Sequence, residues 1–216
     1  MAYPCLAAYL TRGAGVLMSV EFYDQNADSF IAQTADVDMA ALYQRFCKLL
    51  PSGASVLDAG CGSGRDALAF SNMGYDVVAF DASKKMVDAA RKRAAVPVHQ
   101  MTFDNMQFDQ AFDGIWACAS LLHVPRAQLT GILDRLSSFL APGGVLYVSF
   151  KYGVEEREKG GRYFNDLNES LLEEHLAPLW SLKLLEVWQT ADRRPDRRSE
   201  QWLNCLISTT SNPNKG

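Results

Sequence analysis

Histidine is scarce in this chain, with three among 216 residues, and its five cysteines stand alone. Cys5, Cys47, Cys61, Cys118 and Cys205 form no Cys-x-x-Cys pair and have no histidine cluster beside them. That excludes the ligand spacing of a zinc site, so no metal is expected, and it argues against a disulfide framework. A reducing cytoplasm fits such cysteine usage. Long apolar runs are lacking too: residues 1–17 have no basic start, and Arg12 interrupts them before a membrane-spanning length is reached. Neither a signal peptide nor a membrane helix is expected. Positive charge is not in excess, since 21 Lys and Arg face 25 Asp and Glu for a net charge of −4. The chain therefore has no general attraction to nucleic-acid phosphates, and no nucleic-acid partner is expected. There is no internal repeat and no low-complexity segment beyond the polar tail from Thr209.

What is present is enough apolar residue, 48% of the chain, to bury one sizeable core. Residues 18–210 read as a single domain. Residues 1–17 read as an upstream disordered extension, because an ordinary soluble start follows at Met18-Ser19-Val20-Glu21, and 211–216 as a polar tail. The domain is organised around Val56-Leu57-Asp58-Ala59-Gly60-Cys61-Gly62-Ser63-Gly64-Arg65-Asp66. A short apolar run there breaks into alternating glycines and then into a helical pattern, so it reads as strand, tight loop and helix. Alternating glycines allow positive φ and let a ligand approach main-chain N–H groups without meeting a Cβ atom. A dinucleotide fingerprint counted from Gly60 needs its third glycine at 65, where Arg65 stands, which weakens a nicotinamide reading.

The rest of the chain repeats the pattern. Helical spacing covers about 21–50, and strands are expected at 55–59, 76–80, 96–101, 112–117 and 145–150. Helices fall between them, including one capped by Ser83 and one from Arg126 to Leu140. Strands alternating with helices argue for a parallel sheet covered on both faces. Residues 151–166 read as a mobile polar loop, followed by a helix at 168–179 and strands at 182–189 and 201–208. The turn between those strands carries Arg193, Arg194, Arg197 and Arg198. Asp192, Asp196 and Glu200 interleave with these arginines, so the turn reads as solvated. Asp81 ends the second strand 21 residues beyond Gly60, placed to accept hydrogen bonds from both hydroxyls of a ribose.

Asp58-x-Gly60-x-Gly62-x-Gly64 resembles motif I of the class I S-adenosylmethionine-dependent methyltransferases, and the likeness extends from about Val20 to Ser208. It implies a Rossmann-like sheet of seven strands, mostly parallel with the last antiparallel, and helices on both faces. Size and the Gly161-Arg162-Tyr163-Phe164 region place it nearest the tellurite-resistance-like and small-molecule methyltransferases. The resemblance gives Gly60 and Gly62 to the methionine portion of the cofactor, with Asp58 at its ammonium end and Asp81 on the ribose. Ala82 and Met86 flank the adenine. Thr102 and Phe103 stand where many members carry an acid for the adenine amino group, and Ala117 lines the cleft.

Methyl transfer from a sulfonium imposes few residue requirements, because the protein chiefly orients the acceptor and excludes water. His123, after the fourth strand, suits proton transfer, or else is packed at the start of the next helix. Tyr23 resembles a family aromatic that closes over the cofactor. Arg162 with Phe164 can seat an anionic or aromatic acceptor, or else Arg162 is a solvated loop arginine. The implied activity is methylation of a small molecule. A binding module without catalysis and a methyltransferase of RNA or protein stand as alternatives, and the oligomeric state is left open.

Overall fold

β1 (Ser55–Ala59) is buried along nearly its whole length, as an apolar run covered on both faces requires. It pairs in parallel with β2 (Asp76–Asp81) on one side and with β4 (Phe112–Ala117) on the other. β3 (Val98–Gln100) lies outside β2, and β5 (Leu140–Lys151) outside β4. The chain therefore builds outward from β1 in one direction and then returns to build in the other. Between β1 and β4 lies the topological switch point, where open α/β sheets hold ligands beyond the carboxyl ends of their strands. The sheet is completed by β8 (Leu182–Ala191) and β9 (Gln201–Thr209), in the order β3-β2-β1-β4-β5-β9-β8. β9 runs antiparallel to both of its neighbours, so the seven-stranded sheet has the expected antiparallel last strand. This computed structural model describes residues 5–194, 197 and 199–210, with side chains from Leu17 onward.

Alternate residues of each strand feed two cores. On one face Val56, Trp116 and Tyr147 meet Tyr43 and Phe46 of α2 (Ala40–Cys47) and Phe70 of α3 (Arg65–Asn72). The Trp116 and Tyr147 rings stack 3.9 Å apart. On the other face Leu57, Ile115, Leu146 and Phe150 pack with Leu129 and Leu133 of α5 (Arg126–Ser137). The second βα unit closes with α4 (Lys84–Arg93), whose N-cap Ser83 accepts from the Met86 N–H at 3.2 Å, as the sequence predicts. Among the described residues, no helix is long and apolar enough to cross a membrane.

Two sequence expectations are revised. The segment 151–166 is not a featureless loop: β6 (Glu156–Lys159) and β7 (Arg162–Asn165) form an antiparallel hairpin. Gly160 and Gly161 make its turn with φ of +58° and +74°, the pair of positive values that a tight right-twisted hairpin demands. Polar strand residues concealed it. β5 begins at Leu140, because Leu140 pairs with Phe112, and this shortens α5 to end at Ser137. The backbone of α1 (Cys5–Thr34) is helical from Cys5, with a kink at Asn26. Of the extension expected over residues 1–17, the side chains before Leu17 lie outside the described residues, as does the tail 211–216. α6 (Glu169–Leu176) then leads into the last two strands.

Candidate functional site

Where β1 ends, the chain turns sharply because Gly60 takes φ of +77°. The N–H groups of Gly60 and Cys61 both donate to the Phe80 carbonyl at 2.9 Å, which ties the loop to β2. A Cβ on Gly60 would stand 2.4 Å from the Ser120 Cβ, so only glycine fits there. A Cβ on Gly62 would meet nothing within 4 Å, which leaves its main chain open to a ligand. The Gly62 N–H donates to Asp81 Oδ2 at 2.8 Å, and the Ser83 N–H to Oδ1 at 2.9 Å. Burial pushes the Asp81 carboxyl up, while these N–H groups pull it back.

Gly60, Gly62, Asp81, Ala82 and Met86 line one half of the cleft, together with Thr102 and Phe103 after β3. Asp58 stands off the cleft wall. Its Oδ2 is buried without a hydrogen-bond partner, and burial, then the nearby Asp66, raise its carboxyl well above the usual range. Ala117 does not line the cleft as expected: it is fully buried in the core, and the next two residues, Cys118 and Ala119, reach the wall. Ala119 adopts φ of +52°, alone among the described non-glycine residues, and such strain concentrates at functional sites.

In the other half of the cleft His123 and Tyr23 meet. The 3-10 turn Leu121–His123 presents the imidazole between α1 and β7. Nδ1 lies 2.6 Å from the Tyr163 carbonyl, which can only accept, so Nδ1 carries the ring proton. Nε2 therefore accepts from the Tyr23 hydroxyl at 2.8 Å. Burial, with the Arg162 charge adding to it, lowers the imidazole to about 4 and keeps it neutral. Burial likewise raises the Tyr23 phenol, against the opposing pull of Arg162. Arg162 lies 4.5 Å over the Phe22 ring and 5.1 Å over Phe164, and its Nε is buried with no hydrogen-bond partner. Phe164 is itself buried on the same wall. α1 is held over the cleft by Asp24, which accepts from the Ser83 hydroxyl at 2.6 Å.

Two polar networks on the wall escaped the sequence reading. Lys151, at the end of β5, is buried; its Nζ donates to Asp192 Oδ2 at 2.9 Å, pairs with Glu200 and lies 4.0 Å over the Trp202 ring. Arg194 binds the same carboxylate through Nε and Nη2 at 2.9 and 2.6 Å. The expectation of a solvated turn is thus corrected at Arg194, whose side chain is 15% exposed because Asp192 folds it inward. Arg193 stays half exposed. The second network is centred on Asp66, which accepts from Tyr43 at 2.5 Å, Arg65 at 2.6 Å and Trp116 at 2.8 Å. Arg65 also reaches the Thr34 carbonyl, joining the end of α1 to the glycine loop. An acid and a base adjacent at both places, Arg65-Asp66 and Asp192-x-Arg194, was the available signal. Among the described residues, no group of three or more histidine, cysteine or acidic side chains is placed to hold a metal.

Residues 56–144 match the methyltransferase domain family. The chain is 33% identical over 109 residues to a ubiquinone biosynthesis O-methyltransferase of Xanthomonas axonopodis pv. citri (strain 306), covering 47% of this chain and 45% of that protein. It is 29% identical over 146 residues to the cypemycin N-terminal methyltransferase of a Streptomyces species, covering 65% and 56%. The chain thus spans about half the length of these curated relatives. Among solved structures, the Burkholderia thailandensis 1,6-didemethyltoxoflavin-N1-methyltransferase, with bound 1,6-didemethyltoxoflavin and S-adenosylhomocysteine, superposes with a TM-score of 0.73 at 23% identity. That match covers 97% of this chain and 92% of the other, and shows a common fold. The domain match lies on β1 to β5, and the whole sheet shares the fold of that S-adenosylhomocysteine-bound methyltransferase.

Proposed function

We propose that residues 18–210 form an enzyme that moves a methyl group from S-adenosylmethionine to a small-molecule acceptor, without a metal. The observation that carries the reading is Asp81, fixed by the Gly62 N–H at the switch point and facing the Tyr23–His123 pair across one cleft. The residues fit this cofactor. Asp81 retains lone pairs for the two ribose hydroxyls, and the open main chain at Gly62 leaves room for the methionine portion. The orphaned Asp58 Oδ2 suits an ammonium group, directly or through water. Ala82, Met86 and Phe103 offer apolar faces to adenine, with Thr102 beside them. Cys118 and Ala119 take the place expected for Ala117.

Bound in this way, the cofactor supplies a sulfonium methyl that is already electrophilic. What remains for the chain is to orient the acceptor and receive its proton when the accepting atom starts protonated. Tyr23 can take that proton on its oxygen while its own passes to His123 Nε2, and the Tyr163 carbonyl stabilises the imidazolium through Nδ1–H. Support for a small acceptor comes from the relatives named for ubiquinone biosynthesis and from the toxoflavin enzyme. Free Cys47, Cys61, Cys118 and Cys205 support a reducing compartment, the cytoplasm.

Calorimetry with S-adenosylmethionine and S-adenosylhomocysteine tests the shared requirement; folded protein that binds neither overturns the proposal. Radiolabelled cofactor incubated with a cell metabolite extract then tests turnover. Label in the small-molecule fraction is expected. Label in RNA or protein, or none anywhere, refutes the substrate class or catalysis respectively.

A further inference from the structure

Of the cations on the cleft wall, Arg65 is neutralised by Asp66, and Lys151 and Arg194 by Asp192 and Glu200. Arg193 lies 3.6 Å from Asp38, and Arg197 faces Glu200, whose carboxyl, against its burial, Lys151 and then Arg197 hold below its usual range. Arg162 differs from all of these, for no carboxylate pairs with it among the described residues. Ring faces hold it instead, at 4.5 Å from the Phe22 centroid and 5.1 Å from that of Phe164. Gly161, which leads into β7, leaves room for the Phe22 ring, since even an added Cβ would stand 3.4 Å from it, and the hairpin register sets Arg162 opposite Lys159. Its Nε is buried and has no hydrogen-bond acceptor. Leaving such a donor dry and unpaired costs stability, and a planar guanidinium fork matches a carboxylate or phosphate bidentately. Neighbouring His123 carries no opposing charge, and the side-chain oxygen beside Arg162 is the Tyr23 phenol, which is the proposed proton acceptor.

We infer that the acceptor is an anion, whose carboxylate or phosphate is seated on Arg162 beside the Tyr23–His123 pair while a different atom of the same molecule is methylated. The inference rests on the methyltransferase reading and assigns the substrate class. A carboxylate on Arg162 has two sources, the acceptor and the methionine end of the cofactor, and they separate experimentally.

Wild-type protein is first titrated with S-adenosylhomocysteine; failure to bind here sinks the methyltransferase reading itself. Protein loaded with S-adenosylhomocysteine is then titrated with small aromatic and aliphatic acids, each paired with its uncharged amide, benzoate against benzamide among them. At least one acid should bind about tenfold or more tightly than its amide, the gap expected of a charge-assisted bond. R162M should abolish that preference while keeping S-adenosylhomocysteine affinity within about twofold, and R162K should restore part of it. Should R162M fail to fold, R162K and R162Q carry the comparison, the former retaining a reduced preference and the latter none. Labelled product from the metabolite extract should be retained on an anion exchanger at neutral pH. An acid preference missing from every pair in wild-type protein overturns the inference, as does labelled product in the unretained fraction. A tenfold loss of S-adenosylhomocysteine affinity in R162M also overturns it, by assigning Arg162 to the cofactor.

Discussion

Gly60 and Gly62 are two residues apart, both at positive φ, and their replacement by alanine should fail in opposite ways. In Gly60→Ala the new methyl lands 2.4 Å from the Ser120 Cβ, and Ser120 cannot swing away, since its hydroxyl donates to the Ala59 carbonyl at 2.7 Å. A left-handed residue with a Cβ costs about 1–2 kcal/mol, and overpacking adds about 1–3 kcal/mol, for about 2–5 kcal/mol in all. For a domain of this size that lowers Tm by about 4–20 °C. In Gly62→Ala the methyl meets no atom, so only the conformational cost of about 1–2 kcal/mol remains, or about 2–8 °C. Its methyl, however, occupies the open face of the loop. S-adenosylhomocysteine affinity in Gly62→Ala should therefore fall at least about tenfold, with a modest loss of Tm. Calorimetric melting with and without S-adenosylhomocysteine reads both effects on the same samples. Undiminished affinity in Gly62→Ala would show that the cofactor does not lie on this loop. A Gly60→Ala protein as stable as Gly62→Ala would refute the packing argument at Ser120.

Asp81→Ala removes the proposed ribose acceptor, and affinity for S-adenosylhomocysteine should drop about tenfold to a hundredfold by calorimetry; an unchanged value ends that role. Tyr23→Phe should leave this affinity intact but cut labelled-product formation by about 10²–10⁴-fold, the range of general acid–base catalysis, whereas unaltered turnover would reduce Tyr23 to packing. Asp66→Ala strands the Arg65 guanidinium between Thr34 and the glycine loop. Breaking a buried pair costs about 3–5 kcal/mol, so Tm should fall by about 6–20 °C, and a shift under about 3 °C would show that water takes over the carboxylate's part. His123 supplies a pH test. Its folded value is held at about 4, below the ordinary histidine value, so its stabilising effect is complete above about 6.5 and is lost as pH falls toward 4. Subtracting the unfolding free energies of His123→Gln from those of wild type cancels the opposite trend of Asp58 and Asp81, whose carboxyls burial raises. The difference should decline on acidification through that window, by up to about 1.4 kcal/mol per pH unit, and a flat difference would refute a buried neutral imidazole.

The half of the cleft built on the glycine loop was legible because it is local. Asp58, the glycine loop, Asp81, Ala82 and Met86 lie in one continuous stretch from β1 to the first turn of α4, where an apolar run, glycines that permit positive φ and an acid at a strand end each have one structural meaning. Strand ends were the weak point even there. Ala117 was assigned to the wall, but the alternation of β4 sends it into the core, and the strained turn at Ala119 exposes the next two residues instead.

The Tyr23–His123 half of the cleft is assembled from segments that share no local pattern. Tyr23 and His123 are 100 residues apart, Ser19 and Tyr163 are 144 apart, and Lys151 and Asp192 are 41 apart. No periodicity links such pairs; only the sheet order brings β9 between β5 and β8 and lays the β6–β7 hairpin against α1. The same distance explains the misreading of the arginine run. Interleaved acids do imply neutralised arginines, and at Arg193 the result is an exposed pair with Asp38. At Asp192 the neutralisation happens inside the wall, because Lys151 arrives from β5 as a third charge and Trp202 closes over it. Interleaved charge therefore settles whether an arginine is paired and leaves open whether it is solvated. Arg162 inverts the case: Glu158 and Asp166 stand four residues to either side in sequence, yet neither pairs with it once the hairpin is folded, and that lack of an ion pair distinguishes it from every paired cation of the cleft.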